Sequence, residues 1–404
     1  MTTDDDLPRY PMSRDPRCPM DPPADYARLR RDRPITRVRI WDGSTPWLIT
    51  RYDHVIEALA DRRLTMEVQR TGYPHTSPAS AARSQGNVAY PFRAEADHLA
   101  QSSMLAREFS ARRLEARRPE IQRIVDEAID DLEAGPRPAD LVDRFAMPVA
   151  ILVICDLLGM PRSAGGFLHA TSRIVGSRTA DRPTVGAALD ELRRYFAALV
   201  AAALRAPGDD LLGRIVTERV RPGELSPEDA TSMIETLYFA GHGPTGYMIA
   251  MGIAALLQHP SELARLRAAD RPDERAAAID ELLRYLTVSH NARQRVAVED
   301  VVIGGQLIRA GEGVLIQIDS ANRDEAAFAD PDRLDLGRPP RRHVALGHGV
   351  HICLGRALAR LELEIAFTTL IRRIPTLRIA VPFDQISFKT DENLVGVHEL
   401  PVTW

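Results

Sequence analysis

Three cysteines, Cys18, Cys155 and Cys353, are all that the chain contains. They are too few and too scattered for a disulfide framework, and an odd number reads as free thiols in a reducing compartment. Also missing is a basic stretch followed by an apolar one. The opening residues, MTTDDDLPRYPMSRDPRCPMDPP, are acidic and proline-rich, and no later run reaches the uninterrupted apolar length of a membrane span. The expectation is a cytoplasmic protein without membrane contact. A net charge of -4 offers no basic surplus, which argues against nucleic acid as a partner. No internal repeat and no low-complexity linker interrupts the 404 residues. Although that length exceeds the usual domain range, a single domain over 1–404 is therefore expected, with a β-rich part near the N-terminus and a helical body.

Hydrophobic residues make up 45% of the chain, and their spacing defines its elements. The segment 34–61 alternates apolar and polar residues on both sides of the Asp42-Gly43 turn signal and then shifts to helical spacing, predicting a hairpin followed by a helix. Residues 71–97 are polar, rich in Ser, Gly and Pro, and read as a long loop. From His98 to about Leu266 a 3.6-residue pattern dominates. Within it, Ser226-Pro227-Glu228-Asp229 carries an N-cap, a proline at the first helical position and first-turn acids, announcing a long apolar helix to about Gln258. After Val288 the pattern turns strand-like, becomes irregular between Ala321 and Gly349, and is helical again from Leu354 to about Arg373.

The stretch Leu346-Gly347-His348-Gly349-Val350-His351-Ile352-Cys353-Leu354-Gly355-Arg356 carries the most chemistry. Its cysteine precedes a predicted helix, where unsatisfied N–H groups and the positive end of the helix dipole favour a thiolate. Gly347, Gly349 and Gly355 let the backbone turn tightly and approach a flat ligand. Two plainer readings stand beside this one: a buried inert thiol, and a zinc site using His343, His348 and His351. No second cysteine at metal-ligand spacing completes the latter.

This stretch resembles the haem-binding loop of bacterial cytochromes P450, Phe-Gly-x-Gly-x-His-x-Cys-Leu-Gly, departing from it at Leu346. Glu281-Leu282-Leu283-Arg284 is similar to the family's Glu-x-x-Arg helix, and Pro331-Asp332-Arg333-Leu334 to the segment supplying a third ion-network member, here Arg333. Similarity extends from DPRCPMDPP through TPWLITRYDHV, FAMPVAILVICDLLGMP and ANRDEAAFADPDRLDLGR to HELPVTW, and is strongest to members from actinobacterial secondary metabolism. The resemblance implies a mainly α fold, a triangular helical prism with small β-sheets. It implies haem b with Cys353 as iron ligand, and His98, Arg295 and His351 on the propionates, where a cation or donor offsets the burial of each carboxylate. A thiolate ligand donates electron density that promotes O–O cleavage. Four residues beyond His98 the family usually has Arg; this chain has Ser102.

The resemblance also places the oxygen side on the long helix, as Ala240-Gly241-His242-Gly243-Pro244-Thr245. The family usually reads Ala-Gly-x-(Asp/Glu)-Thr-Thr there, and the acid and first hydroxyl deliver protons for heterolytic cleavage. Gly243 and Pro244 supply neither. Pro244 also lacks the N–H that would bond Ala240 and is expected to kink the helix. Thr245, about 100° further round, does not simply replace the missing hydroxyl, and His242 is a candidate proton carrier. Family placement suggests a substrate lining from the loop Met66–Phe92 (including Phe92), from Ile234, Leu237, Tyr238 and Gly241, from Val288 to Ala292, and from Leu394 and Val395, each with a plain core reading as well.

These features imply a monooxygenase that oxidises a small or mid-sized natural-product intermediate with O2. Its two electrons come from NAD(P)H, expected through a ferredoxin and ferredoxin reductase docking near Arg107, Arg112, Arg113 and Arg356. Two alternatives stay open. One is an atypical oxidation (coupling, desaturation, rearrangement or peroxide-driven); the other is a non-catalytic helper of the same fold.

Overall fold

The computed structural model describes residues 7–85, 92–93, 95–175, 181–339, 342–389 and 394–404. The helices that carry the candidate residues or pack against them are α1 (Tyr52–Ala60), α2 (Glu95–Ala106), α3 (Met147–Leu158), α4 (Gly165–Val175), α5 (Pro227–Gln258), α6 (Pro272–Leu286) and α7 (Arg356–Arg373). Five strands form the main sheet: β1 (Ile35–Arg37), β2 (Trp47–Ile49), β3 (Leu64–Thr65), β4 (Arg293–Ala297) and β5 (Gly313–Ile316), in the order β1-β2-β5-β4-β3.

Local chemistry accounts for most boundaries. The Asp42-Gly43 turn, with Gly43 at φ +86, closes the expected hairpin, and β1 pairs antiparallel with β2 from Ile35↔Ile49 to Arg37↔Trp47. Helix α5 starts where the capping signal places it: Ser226 Oγ accepts the Asp229 N–H at 3.0 Å and Pro227 opens the first turn. In the segment 71–97 the structure departs from the loop expectation with a short helix at Pro78–Arg83. There Ser77 accepts the Ser80 N–H at 3.1 Å and Pro78 occupies the first turn, a cap hidden in a polar stretch. Residues 86–91 of the predicted lining loop lie outside the described residues.

The chain forms two compact units. The first contains residues 1–103, 251–356 and 384–398, and holds the five-stranded sheet. One face of that sheet, with Ile49, Ala297, Val314 and Ile316, packs with Val55, Ala58 and Leu59 of α1 into a buried cluster. The opposite face, through Leu48 and Leu315, packs on Tyr10, Tyr26 and Leu29. Alternate residues of a strand point to opposite faces, so one sheet serves two cores.

The second unit contains residues 104–250, 357–383 and 399–404. Its centre is apolar helix: Val149, Ile151, Val153, Ile154, Leu157 and Leu158 of α3 and Met233, Ile234, Leu237 and Tyr238 of α5 are buried. A three-stranded sheet joins Pro401–Thr403 to Ala139–Asp140 and Arg378–Ile379. Among the described residues no helix is long and apolar enough to cross a membrane.

Candidate active site

The loop ahead of α7 is built on two left-handed glycines. Gly347 (φ +79) and Gly349 (φ +72) turn the chain so that the Cys353 N–H reaches back to the Leu346 carbonyl at 2.8 Å. A Cβ on Gly349 would collide with the Leu59 carbonyl of α1, so the loop lies directly on that helix. Cys353 is half-buried, three residues ahead of the first turn of α7, and Gly355 stands in the turn between them.

Three donors predicted from scattered positions meet in the same unit. The rings of His98 and His351 stack with centroids 4.2 Å apart. His98 lies near the Val350 carbonyl (3.4 Å), and the Ser102 hydroxyl faces it at 3.4 Å, so the serine found in place of the family's arginine supports the histidine. Arg295, 2% exposed, projects from β4. Burial first, then the Arg295 charge and His98, pushes His351 down to about 3; burial and Arg295 also lower His98. Among the described residues Arg295 meets no carboxylate; its bond goes to the Gln294 carbonyl at 2.9 Å. A buried cation and two depressed histidines facing one another lack an anion, and a flat dianionic group beside the cysteine is what this donor set fits. Among the described residues no three His, Cys, Asp or Glu side chains are grouped to hold a metal ion between them.

The ion network needs a correction. Arg284 grips Glu281 through bonds of 2.7 and 2.8 Å, both side chains buried, and reaches the Asn322 and Pro331 carbonyls. The third member is Arg338, whose Nε donates to Glu281 at 3.0 Å. Arg333 turns outward to Asp330 and Asp335, and only its carbonyl faces Arg284 and Arg338. Its side chain is 58% exposed, against 11% for Arg338. Sequence reasoning chose the wrong arginine of the Pro331–Arg338 segment.

In the second unit, α5 stays helical on both sides of Pro244, the residue at which a kink is expected and whose missing N–H leaves the Ala240 carbonyl without its usual donor. Gly241 packs so tightly that a Cβ would stand 2.7 Å from Ile154 of α3. Thr245 donates its hydroxyl to the Gly241 carbonyl at 2.7 Å. His242 is buried: its Nδ1 donates to the Tyr238 carbonyl at 2.7 Å, and Nε2 faces Ser172 of α4 at 3.2 Å. Burial pushes it down to about 4, so it is a neutral tie between α4 and α5.

The proposed lining residues divide. Ile234, Leu237 and Tyr238 are core, Tyr238 reaching Ser172 at 2.8 Å and the Leu168 carbonyl at 3.2 Å. The accessible stripe of this half of α5 is instead Ala240, Gly243, Pro244 and Tyr247, at helical i, i+3, i+4, i+7 spacing. In the first unit Val395 donates to the Val288 carbonyl at 2.8 Å, bringing those two segments together beside Leu394, whereas Ala292 belongs to the second core and Phe92 is exposed. Of the basic residues, Arg113 is neutralised by Glu108 at 2.6 Å, while Arg107, Arg112 and Arg356 are exposed.

Comparison with known proteins gives one answer. The family model for Cytochrome P450 matches residues 275–401. The chain is 42% identical over 402 residues to Cytochrome P450 GfsF of Streptomyces halstedii, covering 99% of this chain and 97% of that one. It is 43% identical over 394 residues to Cytochrome P450-SU2 of Streptomyces griseolus, covering 98% and 96%. The crystal structure of GfsF superposes with a TM-score of 0.93 over 98% of this chain and 100% of that chain. That of the mycinamicin VIII C21 methyl hydroxylase MycCI from Micromonospora griseorubida, bound to mycinamicin VIII, superposes with a TM-score of 0.90 at 36% identity, covering 98% and 100%.

Proposed function

Because the chain belongs to the cytochrome P450 family, an assignment that rests on similarity over nearly its whole length, we propose that it is a haem-thiolate monooxygenase of a natural-product intermediate, with Cys353 as the iron ligand. It is an oxidoreductase whose cofactor is haem and whose electrons arrive through redox partners. When bound, the haem supplies the activation of O2. The observation that carries the assignment of residues is the convergence of His98, His351 and uncompensated Arg295 in the unit that holds the Cys353 loop.

In this reading the glycine-built loop presents the Cys353 sulfur ahead of the first turn of α7, where free N–H groups favour its anionic form. Arg295, His98 and His351 would hold the propionates, whose charge would compensate the buried guanidinium and favour the protonated form of both histidines. The α5 stripe performs the oxygen-side role without a protein acid. Gly243 and Pro244 offer no proton, the Thr245 hydroxyl is committed to Gly241, and His242, bonded to Tyr238 and Ser172, is held neutral by its burial. Protons therefore come from ordered water or from a polar group of the substrate itself. The same substitution favours a second reading, an oxidation other than simple hydroxylation, in which the site is tailored rather than impaired. The chain works as one domain in the cytoplasm, with a ferredoxin as the immediate donor.

The test is the carbon monoxide difference spectrum of the dithionite-reduced protein beside Cys353→His. The parent is expected to give the long-wavelength thiolate Soret band and the variant to lose it. A haem-loaded, folded parent without that band refutes the ligand assignment and promotes the reading as a non-catalytic helper.

A further inference from the structure

Strand β4 carries a second arginine two residues before Arg295. Residues i and i+2 leave a strand on one face, so Arg293 and Arg295 project together, opposite Ile316 and Val314 of β5. Those two belong to the cluster that packs on Leu59 of α1, and the Cys353 loop rests on the Leu59 carbonyl through Gly349. Both guanidiniums thus stand on the side of the sheet where the cysteine loop lies.

Their surroundings differ. The Arg295 charge is felt by His98 and His351. Arg293 instead interacts with Cys353 and Tyr10. It lies deep enough for burial to depress its guanidinium, yet it keeps some accessible surface through which a ligand could reach it. Among the described residues it has no carboxylate partner and no hydrogen bond from its guanidinium. Arginine does not escape burial by losing its proton, and with the Cys353 sulfur committed to the iron the charge requires an anion from outside the chain.

We propose that Arg293 is a specificity-determining residue whose guanidinium binds a carboxylate on the substrate, so that the enzyme oxidises a carboxylic acid held by its acid end. The proposal rests on the monooxygenase reading above. A planar fork matches one carboxylate through two parallel bonds, and with Arg295 assigned to the propionates a single cation remains for a single negative charge.

The experiment titrates ferric holoprotein with arylalkanoic acids of graded chain length and with their methyl esters, following spin-state shift and, in parallel, calorimetric heat. The parent is expected to bind at least one acid about tenfold or more tighter than its ester, the worth of a charge-assisted pair. Arg293→Gln should bring that ratio to about one while leaving ester affinity and haem content unchanged, and Arg293→Lys should keep part of the preference. Equal affinity for acid and ester in the parent, binding of neither, or a preference that survives in Arg293→Gln overturns the proposal. Loss of haem from Arg293→Gln also overturns it and assigns the residue to the propionates. The carbon monoxide spectrum of the same preparation separates the two levels. A parent with the thiolate band and no acid preference refutes only the role of Arg293; a parent without the band refutes the monooxygenase reading along with it.

Discussion

The Nε of Arg338 donates to Glu281 across 3.0 Å, closing on a carboxylate that Arg284 already holds through two bonds. The Asp335 N–H adds another donor to the same oxygen at 3.1 Å. A carboxylate this buried is stable only when its lone pairs are filled, so removing one guanidinium leaves an acceptor without solvent to replace it. Arg338→Ala is expected to lower unfolding free energy by about 2–3 kcal/mol, since Glu281 keeps Arg284. Arg333→Ala, at an exposed pair, should cost less than about 1 kcal/mol. Urea midpoints at unchanged m-value measure both, and the opposite ranking would restore Arg333 to the network.

That pair shows where the sequence is legible and where it stops. Glu281 and Arg284 are neighbours on one helix face by spacing alone, but their third partner returns from 57 residues away through an irregular segment with no periodicity to fix its path. Capping chemistry is local, so the start of α5 could be read from Ser226 and Pro227. The glycines of the Cys353 loop were legible for the same reason. Apolar residues of α5 were not: Ile234, Leu237 and Tyr238 satisfy a lining and a core equally well, and only packing against α4 decides for core. Arg293 was missed although its offset of two from Arg295 was in plain view, because a shared strand face has meaning only once the sheet is known.

The loop should be intolerant at Gly349. Alanine there must adopt φ +72 and push its Cβ into the Leu59 carbonyl. Gly305, at φ +82 with nothing within 4 Å, meets the strain without the collision. Gly305→Ala should therefore cost about 1–2 kcal/mol and retain haem. Gly349→Ala should displace the loop and lower the haem-to-protein ratio, read from the Soret absorbance per chain. Equal haem content in the two variants would mean that the loop does not depend on its seat against α1.

His242 predicts a pH dependence. Its folded pKa, about 4, lies below the unfolded value near 6.5, so between those values the unfolded chain binds a proton that the folded chain refuses. Stability from this group is complete above about pH 6.5 and is lost as the pH falls toward 4, by up to about 3 kcal/mol. The groups facing the ring are Ser172, Tyr238 and, electrostatically, His169, which pairs with Asp143 at 2.9 Å. Denaturant unfolding at a series of pH values should give a shallower slope for His242→Gln than for the parent in that window. Parallel slopes would show that the imidazole is not excluded from protonation in the folded state.

Pro244 stands inside a helix that runs on unbroken, so its presence carries a cost. The Ala240 carbonyl loses its usual N–H donor, and a prolyl ring in a helix interior destabilises by about 3 kcal/mol relative to alanine. Pro244→Ala should raise the melting temperature, because it restores an N–H donor in a stretch that is helical on both sides. If it does, a stabilising change has been available at a position on the accessible stripe, and the reason for proline lies in the reaction. Gly243→Glu with Pro244→Thr then separates the two readings of that reaction. A strong rise in product per electron, with the product unchanged, would mean that the native site is an impaired version of the ordinary proton relay. Altered or lost product, with haem content and the thiolate spectrum intact, would mean that water or substrate delivers the proton in a pocket shaped for it, and that an introduced carboxylate interferes.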